Sequence, residues 1–330
     1  MKYRRLGSSG LQVSVIGVGC NNFGRACDAV QTARVVHAAL DQGINFFDTA
    51  EIYGQTKSEE FLGQALEGRR DGAVIGTKVG WEIGPHPNEG GASRRRILQA
   101  IEGSLRRLRT DYVDLYQIHH WDPHTPLEEV LATLDTLVRQ GKVRYIGCSN
   151  FAAWQLVWSL WVSDRRGFAP FVSVQPHYSL LHREPERELL PACQAFGVGV
   201  IPYFPLAGGM LTGKYREDAP PPPGTRFETL ERMRTRFATP RNFAVVRALE
   251  AWVRPRGRAL AELAIAWLLA RPAVCTVITG ATKPEQIEAN ARAADWDLTA
   301  AEVEEVAALA PRGERQARTD EPLDSRAPTP

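Results

Sequence analysis

DYVDLYQIHHWDPHTPLEEVLATLDTLVRQGKVRYIGCSN, residues 111–150, is the stretch that decides the fold. Val113–His119 is short, apolar and aromatic, and it ends in polar residues, which predicts a strand. Thr125-Pro126 then puts proline at a first helical position, with Glu128 and Glu129 in the first turn, which predicts a helix over Leu127–Gln140. Gly141 follows as a left-handed cap requires, and Tyr145–Ser149 returns to the strand pattern. Strand, helix and strand in close succession describe one turn of a parallel α/β layer.

The same alternation runs outward in both directions. Further strands are predicted at Val15–Gly19, Asn45–Asp48, Val74–Lys78, Phe171–Gln175, Gly199–Tyr203 and Thr276–Thr279. Helices are predicted at Val30–Asp41, Ser58–Glu67, Ser93–Leu108, Ala152–Val162, Glu184–Phe196, Asn242–Val253, Ala259–Ala270 and Pro284–Ala294, with Ser93 as a cap and Gly43 closing the first helix. Eight strand–helix units permit closure into a single (β/α)8 TIM barrel, and a doubly wound open sheet is the alternative. Three segments stand outside the alternation. Residues 2–14 read as a β-hairpin turning at Ser8-Ser9-Gly10 and plugging the barrel bottom. Residues 206–240 form a long loop after strand 7, stiffened by Pro220–Pro223. Residues 311–330 lack an apolar face and read as a mobile C-terminal tail, leaving 1–310 as the barrel domain.

Composition narrows the partner. Of 330 residues, 44% are hydrophobic and 24% charged, and 40 Lys+Arg face 38 Asp+Glu for a net +2. A balance so near neutrality gives no electrostatic case for nucleic acid or an anionic membrane, and points to a small-molecule partner. The longest apolar run, Ala259–Ala270, contains Glu262 and is too short to span a bilayer. Five scattered cysteines (Cys20, Cys27, Cys148, Cys193, Cys275) form no C-x-x-C pair, and MKYRRLGSSGLQVS at 1–14 lacks the apolar run of a signal peptide. Free thiols in the reducing cytoplasm are therefore expected.

In a barrel of this kind the reactive groups gather at the carboxyl ends of the strands. Those ends read Asp48, Lys78, His119, Ser149-Asn150, Gln175, Tyr203 and Gly280, with Tyr53 on the loop beyond Asp48. Singly, Asp48 could cap a turn, Tyr53 could be a loop aromatic and Lys78 a solvated charge. Together they converge on one mouth. His119-His120 with Asp122 invites a metal reading, but neighbours on a strand point to opposite faces, so no metal site is expected.

The segments GINFFDTAEIYG (43–54), GTKVG (76–80), DYVDLYQIHHWDP (111–123), RYIGCSNF (144–151), VQPHYSLL (174–181), IPYFPLAGGMLTGKY (201–215) and ITGATKPEQIEAN (278–290) carry a resemblance over residues 2–310. On them the chain resembles the aldo-keto reductase superfamily, in particular its potassium-channel β-subunit-like branch and related bacterial reductases. The resemblance implies a catalytic tetrad of Asp48, Tyr53, Lys78 and His119 and a nicotinamide cofactor, NADPH (NADP+). It also implies reduction of an aldehyde or ketone to an alcohol. The residue types suit that chemistry. Charge developing on the carbonyl oxygen needs a proton donor or stabiliser. Tyr53 can donate, a neighbouring Lys78 would favour its phenolate, Asp48 would neutralise Lys78, and His119 can donate or relay.

The resemblance extends to the cofactor. Ser149, Asn150 and Gln175 match the residues that hold the nicotinamide carboxamide, and Tyr203 the stacking aromatic. The backbone of Gly19, Cys20 and Asn21 would lie near the same end, and Gly280 is a further cofactor-binding candidate. Leu206, Gly208, Leu211 and Gly213 belong to the pyrophosphate stretch. Lys214, Arg226, Thr282 and Lys283 are candidates for the ribose 2′-phosphate, and Gln286 and Asn290 for the adenine, although Ala289 stands where this branch commonly has Glu. Phe23, Trp81, Trp121 and Phe204 are the candidate substrate wall. Two nucleotide motifs fall short: Gly17-Val18-Gly19 has Asn22 at the third glycine position. Gly208–Lys214 begins like a Walker A loop but continues with Tyr215. A second reading is a regulatory barrel that keeps its cofactor and docks to a partner protein with little turnover.

Overall fold

The computed structural model of the chain describes residues 1–313. Eight strands form one parallel sheet: β3 (Ile16–Gly19), β4 (Phe46–Asp48), β5 (Val74–Val79), β6 (Val113–Ile118), β7 (Val143–Ser149), β8 (Phe171–Gln175), β9 (Gly199–Val200) and β10 (Val277–Gly280). β10 pairs with β3 at one side. At the other, Val200 bridges Val274, with Val200 N–H donating to Ala273 O at 2.8 Å and Cys275 N–H to Val200 O at 3.0 Å. The sheet thus curls back on itself as the (β/α)8 barrel expected. β9 stops well short of the expected Tyr203 because Pro202 has no N–H for the ladder, and only Tyr203 itself bridges His177 beyond it.

Helices cover the outside. They are α1 (Ala29–Asp41), α2 (Lys57–Ala65), α3 (Arg94–Leu108), α4 (Leu127–Arg139), α5 (Ala153–Arg166) and α6 (Leu189–Phe196). Ser93 caps α3 by accepting from Arg96 N–H, while Pro126 sits one place earlier than expected, at the cap of α4. The helix expected over Glu184–Phe196 is divided into a short turn at Glu184–Glu186 and α6, because Pro191 cannot donate back to the preceding turn. The long connection after β9 is not bare loop: it holds α7 (Arg226–Thr229) and α8 (Glu231–Phe237), anchored by buried Phe227, Met233 and Phe237. Then follow α9 (Pro240–Val253), α10 (Leu260–Leu269), α11 (Pro284–Arg292) and an unforeseen α12 (Ala300–Leu309), capped reciprocally by Thr299 and Glu302. The apolar run around 259–270 is α10, buried at every position of the helix but Ala261.

Ahead of the barrel, β1 (Tyr3–Arg5) and β2 (Gln12–Ser14) pair antiparallel as the expected hairpin. Leu6 and Val13 pack with Phe46, Val74, Leu115, Val172 and Ile278, closing the amino-terminal end of the barrel. Gly7, at φ 60°, sits so close to the wall that a Cβ would come 2.4 Å from Val172 O. Most of the tail expected over 311–330 lies outside the described residues. Among the described residues no helix is long and apolar enough to cross a membrane, and all five cysteines are free and buried.

Candidate active site

The carboxyl ends of the strands open into a cleft of about 2420 Å³. Register sets its floor: Asp48 lies beside Gly76, Lys78 beside Gln117, and Ser149 beside Gln175. Lys78 is fully buried, and its Nζ donates to Asp48 Oδ2 at 2.6 Å and Thr49 O at 2.8 Å. Asp48 Oδ1 accepts from Gln175 Nε2 at 2.8 Å and Gln117 Nε2 at 3.2 Å, so the carboxylate is held on both oxygens. The ammonium of Lys78 lies 5.0 Å from the Tyr53 ring centre, and the His119 ring meets that ring edge-on at 5.8 Å. Tyr53, Asp48 and His119 line the cleft with Lys78 beneath them. Burial, then the charge of Lys78, then His120 hold the His119 imidazole well below its ordinary pKa.

The loop that carries Tyr53 is anchored from behind by residues the sequence reading did not single out. Glu51 N–H donates to Lys78 O at 3.3 Å, and Glu51 Oε1 accepts from Arg96 Nη2 of α3 at 2.5 Å, with both side chains almost completely buried. Burial raises the Glu51 carboxyl above its ordinary value in spite of Arg96. Glu59 nearby accepts from Thr77 Oγ1 at 2.5 Å and Arg107 Nε at 2.7 Å.

On the opposite side, Ser149 Oγ donates to Gln175 O at 2.8 Å, and Asn150 Nδ2 donates to His119 O at 2.9 Å. Asn150 reaches this position with a left-handed backbone, φ 59°. The Tyr203 hydroxyl donates to Asn150 Oδ1 at 2.8 Å, and the Tyr203 ring stacks on His177 at 5.4 Å. Gly19, Asn21, Leu206, Gly208 and Gly280 line the adjoining wall. Gly208 and Gly209 both have positive φ, and a Cβ on Gly209 would approach Lys214 Nζ to 3.2 Å. Lys214 and Arg226 lie together at the rim: partial withdrawal from water, then the Arg226 guanidinium, pull the Lys214 ammonium below its ordinary value. Arg226 Nη2 also donates to Asn22 Oδ1 at 3.0 Å. Thr282, Lys283, Gln286, Ala289 and Asn290 line the far end, where Gln286 Oε1 accepts from Thr282 N–H at 2.7 Å at the start of α11.

Not every expected residue faces the cleft. Phe23 is fully buried in the hydrophobic core, because the backbone turn that bridges it to Cys27 directs its ring inward. Leu211 and the Cys20 side chain are likewise buried, and the Cα of Gly213 faces Glu250. Trp81, Trp121 and Phe204 do line the cleft. Trp121 also packs on Phe151, Trp154 and Trp158, and Trp81 stacks on His120 at 3.9 Å. His120, expected to point away from His119, joins it on the cleft because β6 ends at Ile118 and the alternation ends with it. Among the described residues no three His, Cys, Asp or Glu side chains are grouped to hold a metal ion.

A parallel barrel with a buried lysine–aspartate pair under a tyrosine and a histidine matches a known class of oxidoreductase. The model of the family described as "Aldo/keto reductase family" matches residues 15–311. The chain is 39% identical to the uncharacterized oxidoreductase YrpG of Bacillus subtilis, over 90% of this chain and 92% of the relative. It is 37% identical to a probable voltage-gated potassium channel subunit beta of Arabidopsis thaliana, over 89% and 92%. With the aldo-keto reductase YhdN of Bacillus subtilis it shares 34% identity over 93% and 92%. The chain belongs to the aldo/keto reductase family.

Proposed function

We propose that this protein is an NADPH-dependent reductase that converts an aldehyde or ketone to an alcohol, with Tyr53 as the proton donor. The observation that carries the reading is the arrangement around Lys78: a fully buried ammonium, bonded to Asp48 at 2.6 Å and lying 5.0 Å from the Tyr53 ring. A positive charge so placed would stabilise the phenolate left when Tyr53 gives up its proton. Asp48, gripped by Gln117 and Gln175, holds and aims the Lys78 ammonium. His119, whose pKa burial depresses, is a neutral imidazole near pH 7 and serves as a hydrogen-bond donor to the carbonyl oxygen. The hydride comes from the dihydronicotinamide when the cofactor is bound. The proton leaves the Tyr53 hydroxyl for the carbonyl oxygen, and Tyr53 is reprotonated from solvent.

The cleft suits such a cofactor in its own chemistry. Lys214 and Arg226 bring two positive groups together and, among the described residues, no carboxylate pairs with Lys214, which favours a doubly charged phosphate and so NADPH over NADH. Thr282 and Lys283 would join them. Ser149, Asn150 and Gln175 would hold the carboxamide, Tyr203 would stack on the ring, and Leu206 and Gly208 would follow the pyrophosphate. The adenine would meet Gln286 and Asn290, without a carboxylate at Ala289. Residues 1–310 form the working unit in this reading, acting in the cytoplasm on a small carbonyl compound.

Oxidation of NADPH with a panel of aldehydes tests it. Turnover that Tyr53→Phe lowers by roughly 10²–10⁴-fold, with cofactor binding retained, is the expected result. Tight NADPH binding with no turnover on any carbonyl would favour the second reading, a regulatory barrel that docks to a partner protein; one relative is a probable channel subunit.

A further inference from the structure

The mechanism above gives no role to Arg236, one of several cations that line the cleft. Arg236 of α8 is partly buried on the cleft wall. Its Nη2 meets His177 Nδ1 at 3.1 Å and its guanidinium lies 5.5 Å from the Phe237 ring. Among the described residues no carboxylate pairs with it. Removing a guanidinium from water without a counter-ion is costly, so a folded chain that does so at a cleft wall has a use for the charge. The neighbouring rings do not share that charge. His177 stacks on His182 at 4.0 Å, burial depresses both, and His182 is brought to about 4 by burial and then by Arg236. Both are neutral near pH 7, and Arg236 stands as a single positive charge.

A second observation comes from His177 itself. An arginine only donates, so the contact at Nδ1 makes that nitrogen the acceptor and puts the ring proton on Nε2. Nε2 is buried with no hydrogen-bond partner. A charged donor without an acid and a buried ring N–H without an acceptor therefore stand side by side. A chain of contacts links them to the reacting end of the same cleft: His177 stacks on Tyr203, the Tyr203 hydroxyl bonds Asn150, and Asn150 bonds His119. Arg226 of the Lys214–Arg226 pair is tied elsewhere, to Asn22.

We propose that Arg236, backed by His177, docks an anionic group of the carbonyl substrate, a carboxylate or a phosphate. The substrate class is then oxo-acids or phosphorylated aldehydes and ketones. The substrate assignment rests on the reductase reading; the anion site does not. Two matched pairs test it with NADPH saturating: 4-carboxybenzaldehyde against benzaldehyde, and glyceraldehyde 3-phosphate against glyceraldehyde. The anionic member of at least one pair is expected to have the higher kcat/KM, by about tenfold, which is what one charge-assisted hydrogen bond supplies. The pair that shows it separates carboxylate from phosphate. Arg236→Met should bring the ratio toward one through KM, and Arg236→Lys should keep most of it. Calorimetric binding of 4-(hydroxymethyl)benzoate against benzyl alcohol reads the same preference without turnover. A carboxylate preference there that Arg236→Met removes, in a protein that reduces nothing, would sink the reductase reading and leave the anion site standing. Equal treatment of both members of both pairs by the wild type overturns the proposal. So does a variant that loses NADPH affinity while the anion preference survives.

Discussion

Asp48 is the residue on which the site turns, because each of its oxygens is engaged: one by Lys78, the other by two glutamines. Lys78→Met should therefore cost far more than an exposed charge. It leaves a buried carboxylate without its cation, and a loss of roughly 3–5 kcal/mol is expected from urea unfolding. Adding Asp48→Asn to that variant should recover part of the loss, since the burden is the unpaired charge. At the rim, Lys214→Ala should weaken NADPH at least about tenfold and leave NADH nearly unaffected, read by fluorescence titration. Asp48, Lys78 and His119 were legible because each is a polar residue ending an apolar run. Gln117 was equally available: it precedes His119 by two, and strand alternation puts the two on one face. Phe23 was misread because an aromatic beside a turn looks the same whether the turn faces ligand or core. Arg236 and His177 gave no signal, since their meeting depends on a fold across 59 residues of chain.

At the scale of elements, the strand–helix alternation carried nearly all of the fold. Its misses have local causes. β9 was overdrawn through Pro202, and α7 and α8 are too short to show a periodic apolar face. α12 buries only Val303, Val306 and Ala307, too few large side chains for a pattern, although Thr299 and Glu302 already spelled its cap. The least legible contact is the one between elements. α3 reaches through Arg96 to Glu51 and so braces the loop that presents Tyr53. Arg96→Met should destabilise the fold by roughly 3–5 kcal/mol, and the double variant with Glu51→Gln by clearly less. Chemical denaturation of the two variants checks this, and if both lose the same amount the pair is ordinary packing.

For the whole molecule, acid is the expected weakness. His119, His177 and His182 all have folded pKa values below the unfolded value, so below about pH 6.5 the unfolded chain binds protons that the folded chain refuses. Stability is whole above that pH and is lost as pH falls toward 4, with a slope of up to about 1.4 kcal/mol per pH unit for each histidine. Urea midpoints measured from pH 7 to pH 5 should fall accordingly, and His182→Gln should flatten the curve. A different consequence follows from the hairpin. The barrel closes through two-residue β9, the thinnest join in the ring, and the hairpin touches both lips of it. Ser8 N–H bonds Gly197 O at 2.7 Å on one lip, while Arg4 Nη1 bonds Val274 O at 2.7 Å and Gly7 N–H contacts Cys275 Sγ on the other. The first fourteen residues are thus a clasp as well as a stopper: peel them back and the hoop springs at its seam, far from the chemistry, with the Val200 and Cys275 amides the first to exchange.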